Sequence, residues 1–401
     1  MSVTLHWFLP TSGDGRTVVE HFHANRAPAA GARREPDIDY LAQIARTAEQ
    51  VGFTGVLTPT GTWCEDAWLT TSALIAQTKT LKFLVAFRPG VLSPTLAAQM
   101  ASTYQRISRG RLLLNVVTGG DSVEQQRFGD WLDKDQRYER TDEFLQVVRG
   151  IWTGKPYTFQ GKHYQVQDAT VLAAPDPVPP IYFGGSSYAA LPVAAARADV
   201  YLTWGEPPAD VAEKIARVRA LTDRPIRFGI RLHTISRDTS AEAWAAAAKL
   251  LDALDPAVVA KAQEQLGASE SVGQQRMLAL HGGDLSRGVR GLEIYPNLWA
   301  GVGLVRGGAG KALVGSHSEV ADLVEEYHSI GIDEFVLSGY PHLEEAYWFG
   351  EGVRPLLKQR GLLDGDRTLA LASATTGNLH RAFDAQQGAS RHRPHAHSQP
   401  G

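Results

Sequence analysis

The chain has 401 residues and a single cysteine, Cys64, so it cannot form an intrachain disulfide. Its stability therefore does not depend on an oxidising compartment. It contains no H-E-x-x-H and no C-x-x-C, which argues against a bound metal. No segment approaches the roughly 20 apolar residues that a membrane helix needs. Neither charge dominates: 40 Lys and Arg face 43 Asp and Glu, so there is no basic footprint for nucleic acid. The first residues, Met1 to Trp7, lack a basic region and a cleavable apolar core, and a cytoplasmic chain is expected. A glycine fingerprint of the G-x-G-x-x-G type is missing after the first strand-like segment, which weakens an open dinucleotide-binding sheet.

What is present is alternation. Short apolar strand-like runs start at Thr4, Gly55, Leu81, Leu112, Pro180, Val200, Arg227 and Glu334, with helix-like segments between most of them. Near-continuous apolar strands alternating with helices argue for a parallel sheet covered on both sides. Eight of them predict an α/β fold of the (β/α)₈ TIM-barrel type with insertions. An open doubly wound sheet is the alternative. Residues 1–360 are expected to form one catalytic domain, with insertions near 119–136, 155–180 and 256–312. The last insertion begins helical, with Asp255 before Pro256 as a cap, and ends glycine-rich around Arg306, which reads as a mobile lid or as a plain surface loop. Residues 361–401, which carry His392, His395 and His397, read as a disordered tail.

The run Ile226 to Ile235 carries the strongest chemical signal. In a strand, alternate residues face the same side, so Arg227, Gly229, Arg231 and His233 share one face and Phe228, Ile230, Leu232 and Thr234 the other. Basic groups on one face of a central strand suit a bound anion; the alternative is pairing with acids across the barrel. In a barrel enzyme the site lies at the C-terminal strand ends. There the sequence places Thr58, Cys64, Arg88, Thr118, Gly184-Gly185-Ser186-Ser187, Trp204, Arg231, His233 and Tyr340. The Gly-Gly-Ser-Ser turn precedes a helix and reads either as a phosphate cradle or as a helix cap supplied by Ser187. Cys64, followed by Glu65 and Asp66, sits where a thiolate is disfavoured. Tyr340 reads equally as a proton donor or a packed phenol, and His6 and His342 as structural residues.

Several longer words are more specific: Trp7-Phe8-Leu9-Pro10-Thr11, Thr60 to Trp68, Tyr182 to Ser187, Tyr201 to Pro208, Asn297 to Gly310, and Leu337 to Glu345. In these the chain resembles the FMNH2-dependent alkanesulfonate monooxygenases of the bacterial luciferase-like superfamily, from about Thr4 to Lys358. The resemblance implies a two-component flavin monooxygenase. Reduced FMN comes from a separate NAD(P)H-dependent FMN reductase, dioxygen is consumed, and an alkanesulfonate is cleaved to an aldehyde and sulfite. By position, Cys64, Arg231, His233, Arg306 and Tyr340 match the family's active-site residues, and Trp204 matches a wall that, with Arg231 and His233, meets the substrate. Thr118, Tyr138, Gly185, Ser186, Ser187 and Arg306 would hold FMN. A homodimer or homotetramer is implied by analogy. The chain departs from the family at Ser12, where a histidine is common. Three other readings compete: a monooxygenase for a neutral organosulfur compound such as dimethyl sulfone, a deazaflavin hydride-transfer enzyme, and a non-catalytic flavin-binding protein.

Overall fold

The computed structural model describes residues 2–18 and 33–363. The tail predicted from residue 361 lies outside the described residues except for its first three.

Eight strands form the ring: β1 (Thr4–Phe8), β2 (Gly55–Thr58), β3 (Lys82–Phe87), β4 (Leu112–Val116), β5 (Ile181–Phe183), β6 (Val200–Trp204), β7 (Arg227–Arg237) and β8 (Glu334–Ser338). Each pairs in parallel with the next, and β8 pairs with β1 to close the barrel. The closed ring is the predicted (β/α)₈ architecture; the open-sheet alternative is excluded by the β8–β1 ladder. Parallel strands need long crossovers, and helices supply them, so each strand is buried on both faces.

The period of two in the strands becomes two packed layers. Phe8, Leu57, Leu84, Leu113, Tyr182, Val200 and Val336 point inward and pack together inside the barrel. Their neighbours Trp7, Val56, Phe83, Val85, Leu112 and Leu114 point outward into the larger core under the helices. Side-chain caps fix several helix starts. Asp37 accepts from the Tyr40 amide before the helix Ile38–Gln50, and Asp255 accepts from the Ala257 amide before the helix Pro256–Gly267.

β7 is the longest ring strand, with 11 residues. Its lower half pairs with β6 as far as Arg231 opposite Trp204. Above that point β6 has ended, and the strand Ala312–Ser316 takes its place in parallel, with Ala312 opposite His233. This strand was not anticipated from the sequence, because Ala312-Leu313-Val314 is a very short apolar run directly after a glycine-rich stretch. A hairpin of Glu293–Tyr295 with Leu298–Trp299 extends the sheet beyond it.

The lower end of the barrel is closed by a buried carboxylate. Glu334 accepts from the Tyr182 hydroxyl at 2.6 Å, lies 3.0 Å from His6 Nε2, and forms an ion pair with Arg227. Arg227 and His6 are thereby structural.

Candidate active site

Arg231 points into the barrel, because it is the register partner of Val336, an inward residue. It is 5% exposed. Its Nη1 donates to the carbonyls of Leu232 at 2.6 Å and Val336 at 3.4 Å, while Nη2 is buried with no partner. Two other buried or nearly buried arginines, at the C-terminal ends of β3 and β7, are neutralised. Arg88 meets Glu124 at 2.5 Å, and Arg237 Nη1 donates to Glu345 at 2.9 Å. Among the described residues no carboxylate pairs with Arg231; its flank is the Phe8 ring, 4.6 Å from the guanidinium carbon. Burial and the neighbouring charge of Arg306 press its pKa down. A guanidinium nevertheless keeps its proton in proteins. The result is a buried cation aimed at the mouth.

Arg306 approaches from the glycine-rich segment, also buried, its guanidinium carbon 5.6 Å from the same Phe8 ring. Its Nη1 donates to His233 Nε2 at 2.8 Å and to the Ala309 carbonyl at 3.2 Å. The segment itself is packed. Val302, Leu304 and Val305 are buried, Gln263 Nε2 donates to the carbonyls of Gly303 and Leu304 at 3.2 and 2.6 Å, and Gly308 donates to Gln274 at 2.8 Å.

His233 is fully buried and stacks on Tyr340, with ring centroids 5.4 Å apart. Burial, then the charges of Arg306 and Arg231, hold its pKa well below the usual imidazole value, so the ring is neutral at physiological pH. Burial raises the Tyr340 phenol above its ordinary value, although Arg306 and Arg231 oppose the rise, so Tyr340 keeps its proton and is a donor. His342 lies edge-on to Tyr340 at 5.1 Å and is held by Asp14, which accepts from its amide at 2.8 Å and lies 2.9 Å from its Nδ1. Burial pushes the Asp14 carboxyl up, but His342, Tyr40 and the Gly15 amide outweigh it, and the group stays ionised with a lowered pKa. Asp14 and Ser338 fall in segments that the sequence singles out, but neither was given a role there. The aspartate stands in the Thr-Ser-Gly-Asp word after β1, and the serine at the end of β8 in the word Leu337 to Glu345.

Cys64 is a thiol rather than a thiolate. Burial pushes its pKa up to about 12, and its Sγ donates to the Gly61 carbonyl at 3.6 Å. Cys64→Ala is therefore expected to keep turnover within about fivefold of the parent, since no nucleophile is lost. A loss of a thousandfold in steady-state rate would show covalent participation.

Trp204 is half-buried at the end of β6. A Cβ at Gly273 would lie 3.0 Å from its indole, so the helix Val272–His281 closes tightly over this wall. Around the ring, the Gly184–Ser187 turn follows β5. A Cβ at Gly185 would lie 2.6 Å from the Ala190 Cβ and 3.1 Å from the Tyr138 hydroxyl, so the cradle admits only glycine there. Tyr201 donates to the Gly185 carbonyl at 2.6 Å, and hydroxyl contacts join Tyr138 to Ser187 and Tyr201 to Ser186. Ser187 Oγ also accepts from the Ala190 amide at 3.2 Å, which is the capping role. Thr118 is buried beside Thr141, with the two hydroxyls 3.1 Å apart; Thr141 donates to the Arg137 carbonyl, so Thr118 donates to Thr141 and keeps lone pairs free. The Gly185 backbone, with the Ser186 and Ser187 hydroxyls before the helix Ala190–Arg197 and the Tyr138 hydroxyl beside them, forms a donor set that fits a phosphate monoester such as that of FMN. The structure thus brings Arg231, His233, Arg306 and Tyr340 together at the β7–β8 side and the hydroxyl cradle at the β5 side, with Trp204 between.

A closed parallel barrel with polar groups converging at its C-terminal strand ends defines a barrel enzyme. The chain belongs to the luciferase-like monooxygenase family, whose model matches residues 4–334. The fold is shared with a riboflavin lyase, RcaE, crystallised with modified FMN and riboflavin (TM-score 0.73, 19% identity, 90% of this chain and 93% of that one). It is shared too with the long-chain alkane monooxygenase LadA (TM-score 0.71, 20% identity, covering 91% and 93%). An F420-dependent secondary alcohol dehydrogenase has the same barrel (TM-score 0.61, 17% identity, covering 88% and 99%). At these identities the likeness concerns the fold alone.

Proposed function

We propose that this protein is the oxygenating component of a two-component flavin monooxygenase. It would take reduced FMN from an NAD(P)H-dependent FMN reductase in the cytoplasm and use dioxygen to desulfonate alkanesulfonates. The observation that carries the reading is Arg231, a buried guanidinium with an unpartnered Nη2 and, among the described residues, no carboxylate partner. A sulfonate is a strongly hydrated monoanion, and moving it into a dry site requires charge-assisted donors. A neutral sulfone would leave the Arg231 charge unmatched. The overall change balances as alkanesulfonate, dioxygen and FMNH2 giving aldehyde, hydrogen sulfite, FMN and water.

FMN, when bound, supplies the two electrons that activate dioxygen. The chain's own groups would do the rest. Gly185, Ser186, Ser187, Tyr138 and Thr118 would hold the cofactor. Arg231, with the Trp204 wall, would seat the sulfonate. Tyr340 holds a proton in reach of the mouth, and His233, kept neutral by burial and by the charges of Arg306 and Arg231, would hold Arg306 through Nε2. Arg306 and its glycine-rich segment would cover the mouth and exclude water. Cys64 would position rather than react. A homodimer or homotetramer is part of the same proposal.

The test is aerobic turnover with NADH, FMN, a flavin reductase and a series of alkanesulfonates from one carbon upward. Sulfite and aldehyde in equal amounts are expected from at least part of the series. Oxidation of the reduced flavin to FMN with dioxygen reduced to hydrogen peroxide, and no sulfite from any chain length, would remove the sulfonate assignment.

A further inference from the structure

The two ring nitrogens of His233 meet different kinds of partner. Nδ1 lies 2.7 Å from Ser338 Oγ. Nε2 lies 2.8 Å from Arg306 Nη1 and 3.0 Å from the Ala309 carbonyl. A guanidinium has donors only, so an Nε2 bonded to it must be bare. The ring is neutral; with Nε2 bare its one proton sits on Nδ1 and points at Ser338, and Arg306 Nη1, which donates both to Nε2 and to the Ala309 carbonyl, lies between those two acceptors. The other tautomer would donate from Nε2 to Ala309 and set an N–H against the N–H of Arg306. Ser338 is 0% exposed, and its place is fixed by the ladder: in the β7–β8 register it lies opposite His233, on the same inward face.

We infer that Ser338 is a positioning residue for this site. Its hydroxyl accepts the Nδ1 proton of His233, fixes the tautomer with a bare Nε2, and so gives Arg306 the acceptor that seats it over the mouth. No other side chain contacts Nδ1 among the described residues. Without the hydroxyl, a buried N–H would have no acceptor, and the ring would do better with its proton on Nε2, donating to Ala309. Arg306 would then lose its ring partner. The inference rests on the proposed roles of His233 and Arg306, but its first test needs no substrate.

That test is nitrogen NMR of histidine-labelled protein, with the His233 signals identified by their loss in His233→Gln. In the parent, Nδ1 is expected to carry the proton and Nε2 to show the shift of a bare ring nitrogen. In Ser338→Ala the two shifts are expected to exchange, and Ser338→Thr, which keeps the hydroxyl, is expected to restore the parent pattern. A protonated Nε2 in the parent would overturn the inference even if no variant folds. So would an unchanged tautomer in a folded Ser338→Ala. The second test is a double-mutant cycle on sulfite release. Ser338→Ala is expected to cost roughly tenfold in kcat/KM in the parent and almost nothing when Arg306 is already alanine, because the serine acts through that arginine. Equal losses in both backgrounds would mean that Ser338 merely supports the barrel. Absence of sulfite with any sulfonate would sink the desulfonation reading and leave the tautomer result standing.

Discussion

Arg231→Met is expected to cut sulfite release at least about a thousandfold while leaving the fold as stable as before or more so. The two halves come from one fact. Arg231 is buried, and its charge is met by two carbonyls and the face of Phe8 rather than by a carboxylate. An uncompensated buried ion costs several kcal/mol in desolvation, and a methionine of similar length fills the space without that cost. The same ion is worth most to an incoming anion. Losing charge-assisted donors in a dry site removes on the order of 4 kcal/mol of binding to the reacting sulfonate, a factor of about a thousand in rate. Sulfite kinetics at saturating reduced FMN, beside a thermal unfolding curve, measure both. Near-normal turnover would take Arg231 out of the mechanism. A fall of several degrees in Tm would make it a structural residue instead.

Lys311→Met is expected to stabilise the protein by about 3 kcal/mol at neutral pH and to flatten its pH dependence above neutrality. Lys311 is 0% exposed, and its ammonium makes one hydrogen bond, to the Met277 carbonyl at 3.2 Å. Burial pulls its pKa from 10.5 down to about 7, with Glu206 only partly opposing. The folded-state pKa is thus below the unfolded one. Between the two values the unfolded chain binds a proton that the folded chain lacks, so stability rises as pH increases from about 7 toward 10.5. Below about 7 the penalty is fully present. Urea unfolding at pH 7 and at pH 9.5 should show the gap between parent and variant shrinking at the higher pH. A constant gap, or a variant less stable than the parent at pH 7, would contradict this. The position matters for the site, because the Lys311 backbone carbonyl accepts from the His233 amide at 2.8 Å. Lys311 thus touches the helix Val272–His281 through its ammonium and β7 through its carbonyl.

Much of the fold was legible because its signals are local. All eight ring strands show as apolar runs, and the ring closes as their number suggested. The period of two placed Arg231 and His233 on one face, and the register with Val336 and Ser338 puts that face inside the barrel. The exclusion of Arg227 from the site also follows from the structure, through its ion pair with Glu334. The strand Ala312–Ser316 was not legible, because nothing in five residues says that β6 will stop at Trp204 and leave the upper half of β7 open. The reading of the Gly-Gly-Ser-Ser turn as cradle or cap had no single answer, since Ser187 caps the helix while Gly185 keeps the close backbone approach that an anion needs.

The sequence by itself determined the number of ring strands, the shared face of Arg231 and His233 on β7 and the chemical class of the residues at the strand ends. Each depends on periodicity or residue type, which are properties of neighbours in the chain. The tertiary structure alone decided which of those residues are charged, neutral or protonated. Those states come from partners far away in sequence: Ser338 reaches His233 across 105 residues, and Asp14 reaches His342 across 328. Burial and hydrogen bonding set a proton's position, and both exist only once the barrel has closed.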